Sequence, residues 1–180
     1  GAKFTYNKHD YFYGVKAKKL KGTYILLDEA SVTGTANVLM ASVLAEGLTT
    51  IYNAACEPYI QQLCKLLSSM GANIEGIGSN LLKINGVKEL KGAEHSVLPD
   101  MIEIGSWIGL AAMTKSSIRI KNVSWENLGV IPNVFRSLGI NLIKEDDDIV
   151  IQEHKNGYEI KNYIDGSILS ISDAPWPGFS

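Results

Sequence analysis

The stretch GANIEGIGSNLLKINGVKELKG, Gly71 to Gly92, opens with a glycine placed to stop a helix, alternates apolar and polar residues, turns around Gly78, Ser79 and Asn80, and alternates again. That is the pattern of a hairpin entered from a helix. Two further stretches share its layout: GAKFTYNKHDYFYGVKAKKLKG from Gly1 and GINLIKEDDDIVIQE from Gly139. Each has a glycine, an apolar residue three positions on, a polar turn and an alternating strand. The three glycines lie 70 and 68 residues apart. Leu20-Lys21-Gly22 recurs as Leu90-Lys91-Gly92, and Asp28, Asp100 and Asp173 follow at spacings of 72 and 73. Asn53 with Glu57 is echoed by Asn122 with Glu126. A period of this length is one supersecondary unit, and such units bury their apolar faces against neighbouring copies.

The residues between the hairpins complete the unit. TYILLD is a strand, and TANVLMASVLAEG is a helix with Val38, Leu39, Ser42 and Val43 on one side and Gly47 at its stop. LTTIYNA is a second strand. EPYIQQLCKLLSSMG is a second helix, with Pro58 in its first turn, Ile60, Leu63, Leu67 and Met70 on one stripe, and Gly71 in the left-handed stop position. The unit is therefore β-α-β-α-β-β, an α/β (α+β) fold class. In the second copy Pro132 excludes a helix begun at Glu126, so ENLGV is a turn or short helix and the main helix runs from Ile131 to Leu138. Gly1 sits where a unit's second helix ends, and Ser180 follows a strand and the Pro-rich turn DAPWPGFS. The expectation is a piece of a longer protein.

With 180 residues, 46% of them hydrophobic, the chain can bury a core of one or two domains. A formal charge of −2 offers no basic face for a polyanion, which argues against nucleic acid as a partner. No stretch reaches the ~18 consecutive apolar residues of a membrane span, and the start does not read as a cleavable leader; the expected compartment is the cytoplasm. Cys56 and Cys64 stand eight apart, without the spacing of a zinc or redox pair, and read as reduced thiols on or near a helix. His9, His95 and His154 are scattered, so no metal site is expected.

Ser31, Val32, Thr33, Gly34 and Thr35 place hydroxyls and a glycine at the start of the first helix. Two readings stand side by side. The cluster can be a helix cap, or it can be a seat for an anion, because a helix N-terminus carries unpaired N–H groups and a partial positive charge. Carboxylates recur at strand ends: Asp28, Glu29, Glu57, Asp100, Glu103, Glu126 and Asp173. Any of them can be an acid, a base or a cap, capping being the commoner duty just before a helix, and only Asp100 gains from its setting, beside a turn proline in LPDMIEIGSW and ahead of an apolar helix. The run Glu145-Asp146-Asp147-Asp148 reads as a solvated hairpin turn without calcium-ligand spacing.

Four stretches, SVTGTANVLMASVLAEGLTTIYNAACEPYI, SSMGANIEGIGSNLLKINGV, HSVLPDMIEIGSWIGLAAM and DAPWPGFS, together resemble the UDP-N-acetylglucosamine 1-carboxyvinyltransferase family of enolpyruvyl transferases. The likeness runs from Gly1 to Ser180. It implies repeated β-α-β-α-β-β units of an inside-out α/β barrel, with residues 1–98 the end of one domain and 99–180 the beginning of a second. It also implies the first step of peptidoglycan synthesis, in which the enolpyruvyl group of phosphoenolpyruvate passes to the 3-hydroxyl of UDP-N-acetylglucosamine with release of phosphate, without a metal or redox cofactor. The shikimate-pathway enolpyruvyl transferases share the fold and are the alternative enzyme. A non-catalytic repeat domain that binds a nucleotide sugar is an alternative of another class.

Carried over position by position, the resemblance puts Glu29, Ala30, Ser31, Val32, Thr33 and Gly34 at the uridine diphosphate site, with Glu57 and Asp100 as supporting residues near an interdomain cleft. Glu29 stands where the family often has lysine, and Cys56 and Met101 where it commonly has arginine, so hydroxyl and backbone donors carry the expected contacts. The family's reactive cysteine would precede Gly1 and its proton-handling aspartate would follow Ser180. No catalytic residue is therefore expected within these residues, the fragment is expected to be inactive alone, and repeat faces left uncovered are expected to lead either to self-association or to stabilisation by a missing partner segment.

Overall fold

The computed structural model describes residues 2–154 together with Gly157 and Tyr158. DAPWPGFS, with Asp173, lies outside the described residues. The chain divides into two compact units, Gly1–Val97 and Leu98–Ser180.

The first unit begins with a hairpin of its own, β1 (Lys3–Asn7) against β2 (Phe12–Lys16). It continues with β3 (Tyr24–Leu26), α1 (Val32–Ser42), β4 (Leu48–Tyr52), α2 (Pro58–Ser69), β5 (Asn73–Glu75) and β6 (Leu81–Asn85). The last four strands form one sheet in the order β3-β4-β6-β5, with β3 and β4 parallel and the rest antiparallel. A parallel pair needs a crossover, and α1 supplies it. Leu39 and Val43 of α1 and Ile60, Cys64 and Leu67 of α2 pack with Ile51, Leu82 and Ile84 of the sheet in one core.

α2 ends as its sequence requires. Gly71 stands at φ +103°, its N–H bonds to Ser68 O at 3.0 Å and that of Ala72 to Leu67 O at 2.9 Å. This pair of bonds closes the last turn through a left-handed residue, where glycine carries no Cβ penalty.

The second unit holds α3 (Met101–Thr114), β7 (Ile118–Ile120), a 3-10 turn at Trp125–Asn127, α4 (Ile131–Ser137), β8 (Ile143–Glu145) and β9 (Asp148–Ile151). Its sheet order, β7-β9-β8, reproduces β4-β6-β5 of the first unit. The repeat extends to single residues. Gly139, at φ +84°, closes α4 with the same two bonds, to Arg136 O and onward from Ile140 to Phe135 O. Asn53 and Asn122, which follow β4 and β7, both take left-handed backbone, at φ +61° and +53°, a conformation asparagine tolerates better than other side-chain-bearing residues. Pro132 sits in the first turn of α4, the helical position that has no N–H to lose. Among the described residues no strand precedes α3, so this copy shows α-β-α-β-β where the full unit has a leading strand.

Candidate functional site

β3 and β4 run parallel in the register Tyr24↔Thr50 to Leu26↔Tyr52, so their carboxyl ends lie at one edge of the sheet. α1 follows β3 and α2 follows β4, which brings both helix N-termini to that edge, the place where open α/β sheets hold ligands. The two connecting loops are fastened together. Leu27 N–H donates to Tyr52 O at 3.1 Å, the Asn53 side-chain amide donates to Leu27 O at 3.0 Å, and Ala55 N–H donates to the Thr35 hydroxyl at 2.9 Å.

Ser31 caps α1 from an extended backbone (φ −75°, ψ 123°). Its hydroxyl accepts the Gly34 N–H at 3.1 Å and its carbonyl accepts that of Thr35 at 2.9 Å. The Thr33 hydroxyl lies 3.4 Å from that of Ser31. Glycine at 34 keeps this cap open, since a Cβ there would stand 3.1 Å from the Ser31 oxygen. The N–H groups of Val32 and Thr33 pair with no described residue. The cap and the anion seat are thus compatible: Ser31 spends its hydroxyl on Gly34 and leaves two N–H groups directed out of the helix end.

Glu29 and Ala30 are exposed, and Glu29 takes part through its carbonyl, which accepts the Ser31 N–H at 2.7 Å. The Glu29 carboxylate makes no hydrogen bond or ion pair with the described residues. Across the edge, Glu57 occupies the N-cap position of α2 without capping it by its side chain. Its Oε2 is screened from solvent and accepts no hydrogen bond from the described residues. The neighbouring Cys56 is exposed, and its carbonyl accepts from Gln61 Nε2 at 2.7 Å. Cys64 faces the core, where burial pushes its thiol up to about 11.

The structure brings Glu29–Gly34 and Glu57 to one sheet edge of the first unit, while Asp100 belongs to the second. There its Oδ1 accepts the N–H groups of Ile102 at 2.8 Å and Glu103 at 3.3 Å, so this carboxylate caps α3. Among the described residues no group of three or more His, Cys, Asp or Glu is arranged to hold a metal ion.

Sequence reasoning counted Thr35 among the hydroxyls of the helix start and missed its role: it is fully buried and ties the two loops, and a threonine at that place gives no sign of its partner 20 residues away. The acidic hairpin turn also does more than face water. Asp147 accepts the N–H groups of Ser124 and Trp125, both at 3.1 Å, and Asp148 accepts that of Asn122 at 3.0 Å and Arg119 Nη1 at 3.1 Å. Glu145 holds the other guanidinium nitrogen of Arg119. The Asn122 amide first, and then Arg119, hold the Asp148 carboxyl below the usual carboxylate range. Only Arg119, opposite in the hairpin sheet, hinted at such pairing.

The family model described as EPSP synthase (3-phosphoshikimate 1-carboxyvinyltransferase) matches residues 1–180. A UDP-N-acetylglucosamine 1-carboxyvinyltransferase of Bacteroides fragilis is 64% identical over 180 residues, covering 100% of this chain and 41% of the relative. The chain thus spans about two fifths of the length of the curated relatives it matches. The enolpyruvyl transferase NikO of Streptomyces tendae superposes with a TM-score of 0.73 at 18% identity, over 84% of this chain and 39% of that one. EPSP synthase of Acinetobacter baumannii gives 0.63 at 20% identity, over 85% and 37%. At such identities the structures speak for the fold, and the family match speaks for descent. With a repeated unit, a matching fold and a family model covering every residue, the chain belongs to the EPSP synthase (3-phosphoshikimate 1-carboxyvinyltransferase) family.

Proposed function

We propose that this chain is the middle part of a UDP-N-acetylglucosamine 1-carboxyvinyltransferase and supplies its diphosphate seat. In that reading residues 1–98 end one domain and 99–180 begin the next. The complete protein moves the enolpyruvyl group of phosphoenolpyruvate to the 3-hydroxyl of the sugar, in the cytoplasm, as an early step of peptidoglycan synthesis. Identity of 64% to relatives of that name favours the UDP-sugar over a shikimate phosphate as acceptor.

The observation that carries the site is the pair of unpaired N–H groups, Val32 and Thr33, at the start of α1 on the carboxyl edge of the sheet. Two backbone donors, the helix dipole and the Ser31 and Thr33 hydroxyls suit a diphosphate without a cationic side chain. Glu29 and Ala30 shape the approach through their backbone. The screened Oε2 of Glu57 suits an O–H or N–H donor of the bound sugar. Asp100 serves the second domain by fixing the start of α3. None of these groups attacks the enolpyruvyl carbon or moves its proton, so the 180 residues alone bind and do not turn over.

Calorimetry with UDP-N-acetylglucosamine tests this reading. Gly34→Asp sets a carboxylate beside the two N–H groups and repels the diphosphate, and Gly34→Ala, which crowds the Ser31 cap with the same Cβ but no charge, is the control whose binding should largely survive. Binding by the parent chain that Gly34→Asp loses, with the fold intact by circular dichroism, supports the seat. Equal binding by both removes the diphosphate from this helix end. A complete enzyme that consumed shikimate 3-phosphate and left the UDP-sugar untouched would replace the proposed acceptor.

A further inference from the structure

The formal charge of −2 conceals a local excess of the opposite sign. Residues 1–22 hold six lysines and one carboxylate, Asp10, which accepts a hydrogen bond from Asn7 Nδ2 at 2.7 Å. Five of those lysines, Lys3, Lys16, Lys18, Lys19 and Lys21, line with Ala17 an open hollow of about 650 Å³, a volume in the range of small-molecule sites. All five are exposed. Lys19 has Glu46 at 3.4 Å, and the other four make no ion pair with the described residues. Like charges gathered in this way repel one another until an anion comes among them.

The hollow lies on the side of the repeat that faces solvent. Lys3 pairs with Lys16 across β1 and β2, on the face opposite Phe4 and Val15. In the second hairpin Asn73 pairs with Asn85 at the matching place, again opposite the face whose Leu82 and Ile84 lie in the core. The segment that follows differs in charge as well: Gly86–Glu89 sets Lys88 beside Glu89, where Ala17–Lys19 has two lysines. The same unit is thus built with and without this charge, so folding does not call for it. Nor do the lysines belong to the diphosphate seat. The Leu20 carbonyl accepts the Glu46 N–H at 2.9 Å and the Gly22 N–H donates to the Glu46 carbonyl at 2.8 Å, which anchors the lysine loop to the turn between α1 and β4. That turn lies at the amino edge of the parallel pair β3 and β4, whereas α1 starts at its carboxyl edge.

We propose that this hollow is a second anion site and takes a small oligophosphate. An ammonium group is a compact charge with three donors, suited to phosphate oxygens approaching from several directions. Among the described residues that line the hollow there is no aromatic ring to stack a base and no arginine fork to grip a carboxylate, so the site reads charge alone. Ammonium groups set around a hollow close on one polyvalent anion together, while a bilayer surface meets only those at the rim.

Calorimetry of the whole chain with inorganic tripolyphosphate, free of metal ions and at about 50 mM salt, tests the site. A saturable component is expected that Lys16→Gln with Lys18→Gln weakens about tenfold, two ammonium contacts being lost. Lys65→Gln, an exposed lysine of α2 outside the hollow, should leave it unchanged, and Gly34→Asp, which closes the seat at α1, should retain it. Absence of such a component overturns the proposal. So does binding that Gly34→Asp abolishes and the lysine variant keeps, which puts the anion at the start of α1, and so does binding that sodium sulfate abolishes at equal ionic strength. Sedimentation with phosphatidylserine vesicles by a chain that ignores tripolyphosphate would make lipid headgroups the occupant and overturn it too.

Discussion

The hydroxyl of Thr35 accepts the amide proton of Ala55 at 2.9 Å, and this one bond joins the first turn of α1 to the loop that leads into α2. Both partners are buried, so water cannot replace either of them.

Thr35→Val keeps the shape of the side chain and strands the Ala55 N–H. The expected loss is about 1–3 kcal/mol of stability in urea unfolding. Thr35→Ser, which retains the oxygen, should lose roughly the 0.8 kcal/mol of one methyl group. Equal losses for the two would mean that packing, and not the hydrogen bond, joins the loops.

Ser31 separates capping from ligand binding. Ser31→Ala should cost about 1 kcal/mol of stability, the usual value of a lost cap. Ser31→Asp restores a good cap and adds negative charge, so it should unfold like the parent while its heat of binding UDP-N-acetylglucosamine falls away. An Asp variant that binds as well as the parent would place the diphosphate elsewhere.

The two thiols should behave oppositely. Cys56 is exposed, whereas Cys64 is buried with its thiol pushed up to about 11. At pH 8 a disulfide reagent should label one thiol per native chain and the second only after denaturant is added. Rapid labelling of both in the native state would show that the core around Cys64 opens readily.

The acidic turn gives a pH signature. The Asp148 carboxyl is held below its ordinary 3.8 by the Asn122 amide and by Arg119, so its ionised form favours the folded state. That stability is present above the ordinary value and is lost as pH falls below it toward the lowered folded value. Asp148→Asn should therefore show a shallower fall in unfolding midpoint between about pH 4 and 2 than the parent, and a lower midpoint at pH 7.

The punctuating residues made most of the fold legible. Gly71 and Gly139 announce helix stops that the backbone realises with identical bonds, and Pro132 fixes the start of α4. Ser31 announces a cap that also leaves donors free. What stayed hidden depends on partners distant in the chain. The Thr35–Ala55 tie and the bonds from Asp147 to Ser124 and Trp125 span 20 to 23 residues and follow no local period. The alternation of β1 and β2 marks one face as apolar, but only the three-dimensional register shows that its counterparts in the other hairpins are covered.

Cys64 is locked in the core of the first unit, and Trp107, Trp125 and Trp176, all the tryptophans of the chain, come after Leu98. The two halves therefore carry natural reporters of different kinds, a thiol clock for one and indole emission for the other. Following both during a single denaturant ramp would show, without any introduced label, whether the halves melt together or in succession.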